Sequence, residues 1–297
     1  MKKIKPMWVF KSYKDYKIWK IFPTRHDKIL CELRDLNKRV TSFVCLSIYN
    51  GNKIWEKSDF EEPWWIQIAD VDDDIFFLCE FKRPDLPAQG KTYAVSSSSG
   101  EVLWKDDEFD FMFALDGRVY GVRNLIDSRF YFVVDARTGE ILETYGDEKA
   151  EEINELRNEK IKSMEFIETS ISFDEYHPDY ETAKGLVDSF VNDGDPRFPP
   201  EVLVKENISL INYHIARGVK AGSERFKNVL KIVEINTGKL LYQDVLYDDL
   251  SFFIPDAFFC KDDFVFYVRE QIELIAIKLP HQNESHYRKN NRFNPWF

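Results

Sequence analysis

The stretch Ala94-Val95-Ser96-Ser97-Ser98-Ser99-Gly100-Glu101-Val102-Leu103-Trp104 reads as a strand, a glycine turn and a second strand. Its pattern returns three times in one register. Counted back from Trp104, a small or apolar residue stands ten before, a small polar or acidic one eight before, Ser99 five before and Gly100 four before. Trp55 has Cys45, Ser47, Asn50 and Gly51 at those offsets; Glu143 has Val133, Asp135, Thr138 and Gly139; Tyr242 has Ile232, Glu234, Thr237 and Gly238. Self-similarity at such a spacing marks a repeat architecture.

Around each unit the chain alternates short apolar runs with turn residues. Four strands are predicted at Tyr16–Phe22, Lys28–Arg34, Thr41–Ile48 and Lys53–Lys57, four more at Trp64–Ala69, Asp74–Phe81, Lys91–Ser96 and Val102–Lys105, and a third set at Phe109–Leu115, Arg118–Arg123, Phe130–Asp135 and Ile141–Tyr145. Four short strands joined by hairpin turns make one blade of a β-propeller. Gly51, Gly100 and Gly139 are 49 and 39 residues apart, a blade period. The 99 residues from Gly139 to Gly238 contain one blade plus an insertion at about 147–200, with helical patterns at Asp147–Met164 and Asp179–Val191, a strand candidate at Phe166–Phe173 between them, and Pro199-Pro200 closing it. The fourth blade resumes with Asn207–Arg217, Val229–Asn236 and Leu240–Val245. The fifth has three strands, Phe252–Pro255, Asp263–Arg269 and Ile272–Leu279, and its outer strand is supplied by Met7–Phe10, which brings Trp8 to the repeat's tryptophan position and closes the ring. The fold expected is therefore all-β: a single five-bladed propeller over residues 1–280, followed by a polar tail at 281–297.

The repeat unit resembles the tryptophan-docking repeat of quinoprotein-type β-propellers, A-x-D-x-x-x-G-x-x-x-W. Ser96 and Ser47 replace the aspartate, Asp135 and Glu234 keep an acid, and Glu143 and Tyr242 replace the tryptophan. The whole chain is similar to an uncharacterised bacterial family of quinoprotein-like propellers, on Trp64-Trp65 and on the Leu86-Pro87…Gly90-Lys91 lead-in to the repeat. That family brings no activity with it. The resemblance implies tryptophans docking one blade on the next. It does not extend to the quinone, because cofactor-bearing members are exported, larger and have more blades; no cofactor is expected here.

Composition narrows the partners. With 41 Lys and Arg against 52 Asp and Glu, the net charge of -11 opposes a phosphate backbone, so no nucleic acid is expected. The amino terminus is basic but develops no apolar signal core, and no apolar run reaches the roughly 18 residues of a membrane span; the expectation is a cytoplasmic protein with no membrane partner. Cys31, Cys45, Cys79 and Cys260 sit singly in apolar runs, as buried free thiols rather than metal ligands. Asp70-Val71-Asp72-Asp73-Asp74 begins like a calcium loop, but Ile75 stands where its glycine belongs and Phe81 where its last glutamate belongs; it reads as an acidic solvated turn, and no metal is expected.

Naming the strands of a blade a to d from the axis outward puts the b–c and d–a connections on one face. Arg34, Arg83, Arg123, Arg217 and Arg269 all end b strands there, with Trp64 and Trp65 where the first blade hands over to the second, and His214 three residues before Arg217. One reading is a positive rim for an anionic ligand or an acidic segment of a partner protein. The other is local ion pairing with Asp35, Asp85, Asp127 and Glu270. By alternation one of the two tryptophans is core and its neighbour exposed, and His214 either reaches the rim or is satisfied within its strand. Patterns of GxSxG, P-loop or Rossmann type are absent. The chain thus reads as a non-catalytic binding or scaffold propeller. The alternative is a propeller enzyme, a hydrolase, lyase or quinone-dependent oxidoreductase, drawing on Glu32, Glu80 and Asp110 at the channel mouth.

Overall fold

A computed structural model describes residues 3–83, 86–164 and 166–280. The chain is mostly β, and two compact units divide it: Trp8–Ile167 with Val268–Ile275, here the first unit, and residues 3–7, Glu168–Tyr267 and 276–280, the second.

In the first unit, β1 (Trp8–Lys11) precedes three antiparallel four-stranded meanders. They are β2 (Tyr16–Pro23), β3 (Lys28–Asp35), β4 (Val40–Ser47) and β5 (Lys53–Lys57); β6 (Ile66–Asp72), β7 (Ile75–Arg83), β8 (Leu86–Ser96) and β9 (Val102–Asp106); and β10 (Asp110–Leu115), β11 (Arg118–Asn124), β12 (Arg129–Asp135) and β13 (Ile141–Tyr145). Helix α1 (Ala150–Ser163) follows. Inner strands such as β4 are largely buried, whereas β5, β9 and β13 have no fully buried residue and pack Trp55, Leu103 and Trp104, and Tyr145 partly against the core. A strand buried on both faces must be apolar throughout, and an edge strand need not be.

The ten-residue offset of the repeat is a hairpin register. Cys45 lies opposite Trp55, Ala94 opposite Trp104 and Val133 opposite Glu143, each followed by a bulge. The turns are superimposable in their bonding. Ser47, Ser96 and Asp135 each accept the N–H of the turn glycine through their carbonyl at 2.9 Å, and donate their own N–H to Asn52, Glu101 and Glu140 at 2.9 Å. The glycines hold φ of 68°, 76° and 77°, where a Cβ is disfavoured. Across each turn lies an indole from the preceding repeat. A methyl on Gly51 would stand 2.6 Å from Trp8, on Gly100 2.9 Å from Trp55 and on Gly139 2.8 Å from Trp104. Each indole N–H donates to the carbonyl three residues before that glycine: Trp8 to Ile48 at 2.9 Å, Trp55 to Ser97 at 2.8 Å and Trp104 to Ala136 at 2.9 Å.

The second unit contains β14 (Glu168–Thr169), β15 (Ile171–Ser172), α2 (Tyr180–Phe190), β16 (Glu201–Lys205), β17 (Ile208–Lys220), β18 (Ser223–Glu234), β19 (Lys239–Leu250) and β20 (Phe258–Lys261). Strands β15 to β19 form one antiparallel sheet in chain order but for α2. A fifth sheet has the order β1, β22 (Glu273–Lys278), β21 (Phe264–Arg269), β20, β14, with Met7 N–H donating to Ala276 at 2.8 Å and Ser12 N–H to Ile272 at 2.8 Å. Among the described residues no helix is long and apolar enough to cross a membrane.

Three expectations need correction. Phe252–Pro255 is not a strand; β20 starts at Phe258, because the N–H groups of Ile254 and Asp256 go to the side chains of His214 and Glu201 instead of a ladder, and Asp256 holds φ at 50°. Phe166–Phe173 yields only the two short strands β14 and β15, paired with β20 and β16 respectively. Glu201–Lys205, passed over as the end of the insertion, is a full strand opposite Ile208–Asn212. All four cysteines are buried free thiols. Residues 281–297, read as a polar tail, lie outside the described residues.

Candidate binding surface

The start of β6, the end of β3 and a bulge in β2 meet in the first unit. Trp64 and Trp65 immediately precede β6, and Glu62 accepts both of their N–H groups at 2.8 Å through one carboxylate oxygen, fixing the bend. Arg34 is 8% exposed. Its Nε donates to Glu32 at 2.7 Å, and its two terminal nitrogens to the carbonyls of Trp64 at 3.0 Å and Ile66 at 2.9 Å. Glu32, fully buried, turns its other oxygen to the Ile68 N–H at 3.0 Å. The guanidinium is flanked by indoles, Trp64 at 5.0 Å and Trp19 at 5.4 Å from ring centre to Cζ, and Trp65 stands edge-on to Trp64 at 6.2 Å. Such cation–π contacts strengthen when desolvated.

Arg34 pairs with Glu32 because residues two apart on a strand share a face, whereas its sequence neighbour Asp35 points the other way and caps the N–H groups of Asn37 and Lys38. The local pairing anticipated with Asp35 is therefore corrected to Glu32. Trp64 is half-buried and Trp65 38% exposed. Trp19, 49% exposed, was missed: the β2–β3 register shifts between Ile18 and Lys20 and leaves Trp19 as the extra residue. Its signal was visible as Lys17-Ile18-Trp19-Lys20, a tryptophan in the outward phase between lysines.

The rim residues have separate partners. Arg123 pairs with Glu108 at 2.9 Å, not Asp127, and lies over Phe132. Arg269 bonds Glu273. In the second unit Arg217 pairs with Asp248 at 3.4 Å. The side chain of Arg83 and residue Asp85 lie outside the described parts. Of the proposed set, the first unit brings together Arg34, Trp64 and Trp65. His214, in the second unit, is buried on a sheet face with Asn212 and Asn228; Asn228 reaches its Nε2 at 3.1 Å, the Ile254 N–H donates to it at 3.4 Å, and burial lowers its pKa to about 4. The carboxylates considered for catalysis are also placed. Glu32 belongs to Arg34, Glu80 accepts the Tyr93 hydroxyl at 2.5 Å, and burial raises the pKa of Asp110.

The other end of β6 differs in character. Asp72–Asp74, Asp116–Gly117 and Asp135–Thr138 line a cleft of about 720 Å³ together with Arg25. The turn read as solvated is partly buried. Lys160 of α1 donates to the Val71 carbonyl at 2.7 Å and pairs with Asp70 at 3.1 Å and Asp72 at 3.9 Å, while Asp70 accepts the Ala114 N–H and Asp72 the Gly117 N–H. Among the described residues no group of three or more His, Cys, Asp or Glu is placed to hold a metal ion.

A family model, the domain of unknown function DUF4905, matches residues 23–104, less than half of the chain. No curated protein matches the chain in sequence. Among solved structures it is similar to the β-propeller domain of the Trilobed protease from Pyrococcus furiosus, at 8% identity and a TM-score of 0.31, over 87% of this chain and 64% of that one, so that it spans less than two thirds of it. It is similar to BamB from Moraxella catarrhalis at 9% identity and a TM-score of 0.26, over 93% and 91%. The C-terminal WD40 domain of Sif2 follows at 7% and 0.32, over 90% and 82%.

Proposed function

We propose that this chain is a five-bladed β-propeller of the tryptophan-docking, quinoprotein-like type, closed by β1 along β22, and that it works as a protein-binding module. The serial docking of Trp8, Trp55 and Trp104 on successive turn glycines supports a stack of blades built to stay rigid. The observation that carries the binding role is the surface around Arg34. Trp19, Leu36 and Trp65 expose 49%, 51% and 38% of their surface, and the neighbouring guanidinium has all its bonds inside the protein. Arg34 therefore acts as a pin that holds the indoles in place. Rigid exposed aromatics lose little entropy on association and are the side chains that dominate protein interfaces.

The test is a photo-crosslinking residue at Leu36 in the full chain, expressed in cells. A discrete crosslinked protein that disappears in the Trp19→Ala/Trp65→Ala background is expected. Crosslinks unchanged by those substitutions, or equal to those from a probe at Tyr176, which is 85% exposed in the second unit, would reject this surface.

A further inference from the structure

We propose that the surface around Trp19 and Trp65 takes an acidic peptide segment with apolar anchors, an inference that rests on the binding reading above and names its partner class. The charges of this region are sorted by depth. Its acids are held by the protein: Glu32 bonds Arg34 and the Ile68 N–H, Glu62 the N–H groups of Trp64 and Trp65, and Asp35 gives one oxygen to the N–H groups of its own turn while the other lies buried. Lys38 and Arg39 are left outside. Lys38 is 76% exposed and only 3.9 Å from the buried carboxylate of Asp35, and Arg39 beside it is exposed. The turn they occupy is tied to the tryptophans, since Thr41 donates its N–H to Pro63 at 2.7 Å.

Lys20 adds a second observation. Its ammonium is half-buried, and its hydrogen-bond partner among the described residues is a neutral group, the Gln67 side-chain oxygen, at 2.9 Å. Burial lowers its pKa, the mark of a cation deprived of water. Glu32, opposite Lys20 on β3, is already bonded to Arg34, so a carboxylate arriving beside Trp19 would add to its attraction for the lysine, while Leu36 and the two indoles bury apolar side chains of the same segment. The chain as a whole is acidic at -11, so this local cationic surface also orients an acidic partner toward it.

The experiment uses two displayed peptide libraries selected against the intact chain. Both carry Leu, Phe and Pro at random, one with Asp and Glu, the other with Lys and Arg in their place. Enrichment from the acidic library is expected, with affinity falling about ten-fold in Lys38→Glu/Arg39→Glu and further on Trp19→Ala/Trp65→Ala, and weakening as salt rises. Peptides enriched from the basic library, or peptides indifferent to the charge reversal, that still require Trp19 and Trp65 would overturn the acidic class and leave the binding surface standing. Peptides indifferent to both tryptophans, or no enrichment from either library, would overturn the surface as well. All four substituted side chains are exposed, and thermal melting of each variant checks that the fold is kept.

Discussion

Three turn glycines of the first unit and one of the second sit in the same hairpin register, yet they meet different neighbours. Gly51, Gly100 and Gly139 are each covered by an indole close enough that a methyl would collide with it. At Gly238, where φ is 63°, the nearest atom to such a methyl is a Leu186 methyl of helix α2, 4.0 Å away. The repeat has Glu143 where its first two copies have Trp55 and Trp104, and within the second unit it is Leu186 of α2 that comes nearest the turn glycine. The two inserted helices share apolar anchoring and differ in charge. Helix α2 buries Ala183 and Val187; α1 buries Ile153 and in addition sends Lys160 into the acidic end of β6. A docking slot constrains the turn; it leaves open which element fills it.

The largest expected contrast is between fillers. Trp55→Ala removes an indole stacked on Phe76 at 5.5 Å together with its bond to Ser97, and should cost about 3–4 kcal/mol. Leu186→Ala, at a partly buried site, should cost about 1–2 kcal/mol. Equal losses in chemical denaturation would erase the distinction. Lys160→Met strands Asp70 beside its two backbone donors in a low-exposure site, and about 3 kcal/mol is expected, with the loss shrinking as acid protonates the carboxyl, whose pKa burial already raises. A loss that does not change between pH 7 and pH 4 would mean the lysine acts by packing alone.

The acid response of the second unit sharpens the contrast further. His214 has a pKa of about 4 when folded against an ordinary value of about 6.5, so protons favour the unfolded chain. Its contribution is complete above pH 6.5 and declines as pH falls toward 4, by at most about 3 kcal/mol. Glu201, whose pKa burial raises, works in the opposite sense, so the effect is read as the difference between the parent and His214→Gln across that window. A difference flat with pH would contradict the buried, neutral imidazole.

Smaller effects separate the glycines. Gly100→Ala drives a methyl to 2.9 Å from Trp55 at φ 76° and should cost about 2 kcal/mol, against about 1 kcal/mol for Gly238→Ala, where only the backbone conformation objects. At the bottom of the scale, Trp65→Ala should shift stability by no more than about 1 kcal/mol, because the side chain is 38% exposed and its ring contact is edge-on to Trp64. A larger loss would make that tryptophan structural and weaken the binding reading.

Much of this was legible in the residues. The ten-residue spacing from Cys45 to Trp55 and from Ala94 to Trp104 is a consequence of strand pairing across a turn of set length, so every copy had to show it. Strands of the three regular meanders were readable because inner strands need apolar runs and turns need glycine. The surface around Arg34 was half visible. Trp64, Trp65 and Arg34 could be named, but Trp19 depends on a bulge, and the choice of Glu32 over Asp35 depends on which side of a strand each side chain leaves. Where Phe252–Pro255 imitates a strand, its N–H groups answer to His214 and Glu201, residues far off in the chain.

Periodicity and turn chemistry are local, and sequence alone determined them: the repeat, the register of each hairpin, the burial of the cysteines and the glycines at positive φ. Partners are long-range, and only the tertiary structure decided them. It set an indole over each of three glycines and a leucine nearest the fourth, tied Glu32 to Arg34, drew Lys20 onto Gln67, and left Lys38 and Arg39 exposed. A charged side chain's role depends on which opposite charge or backbone dipole folding brings within about 3–4 Å, and that distance is not encoded by its neighbours in sequence.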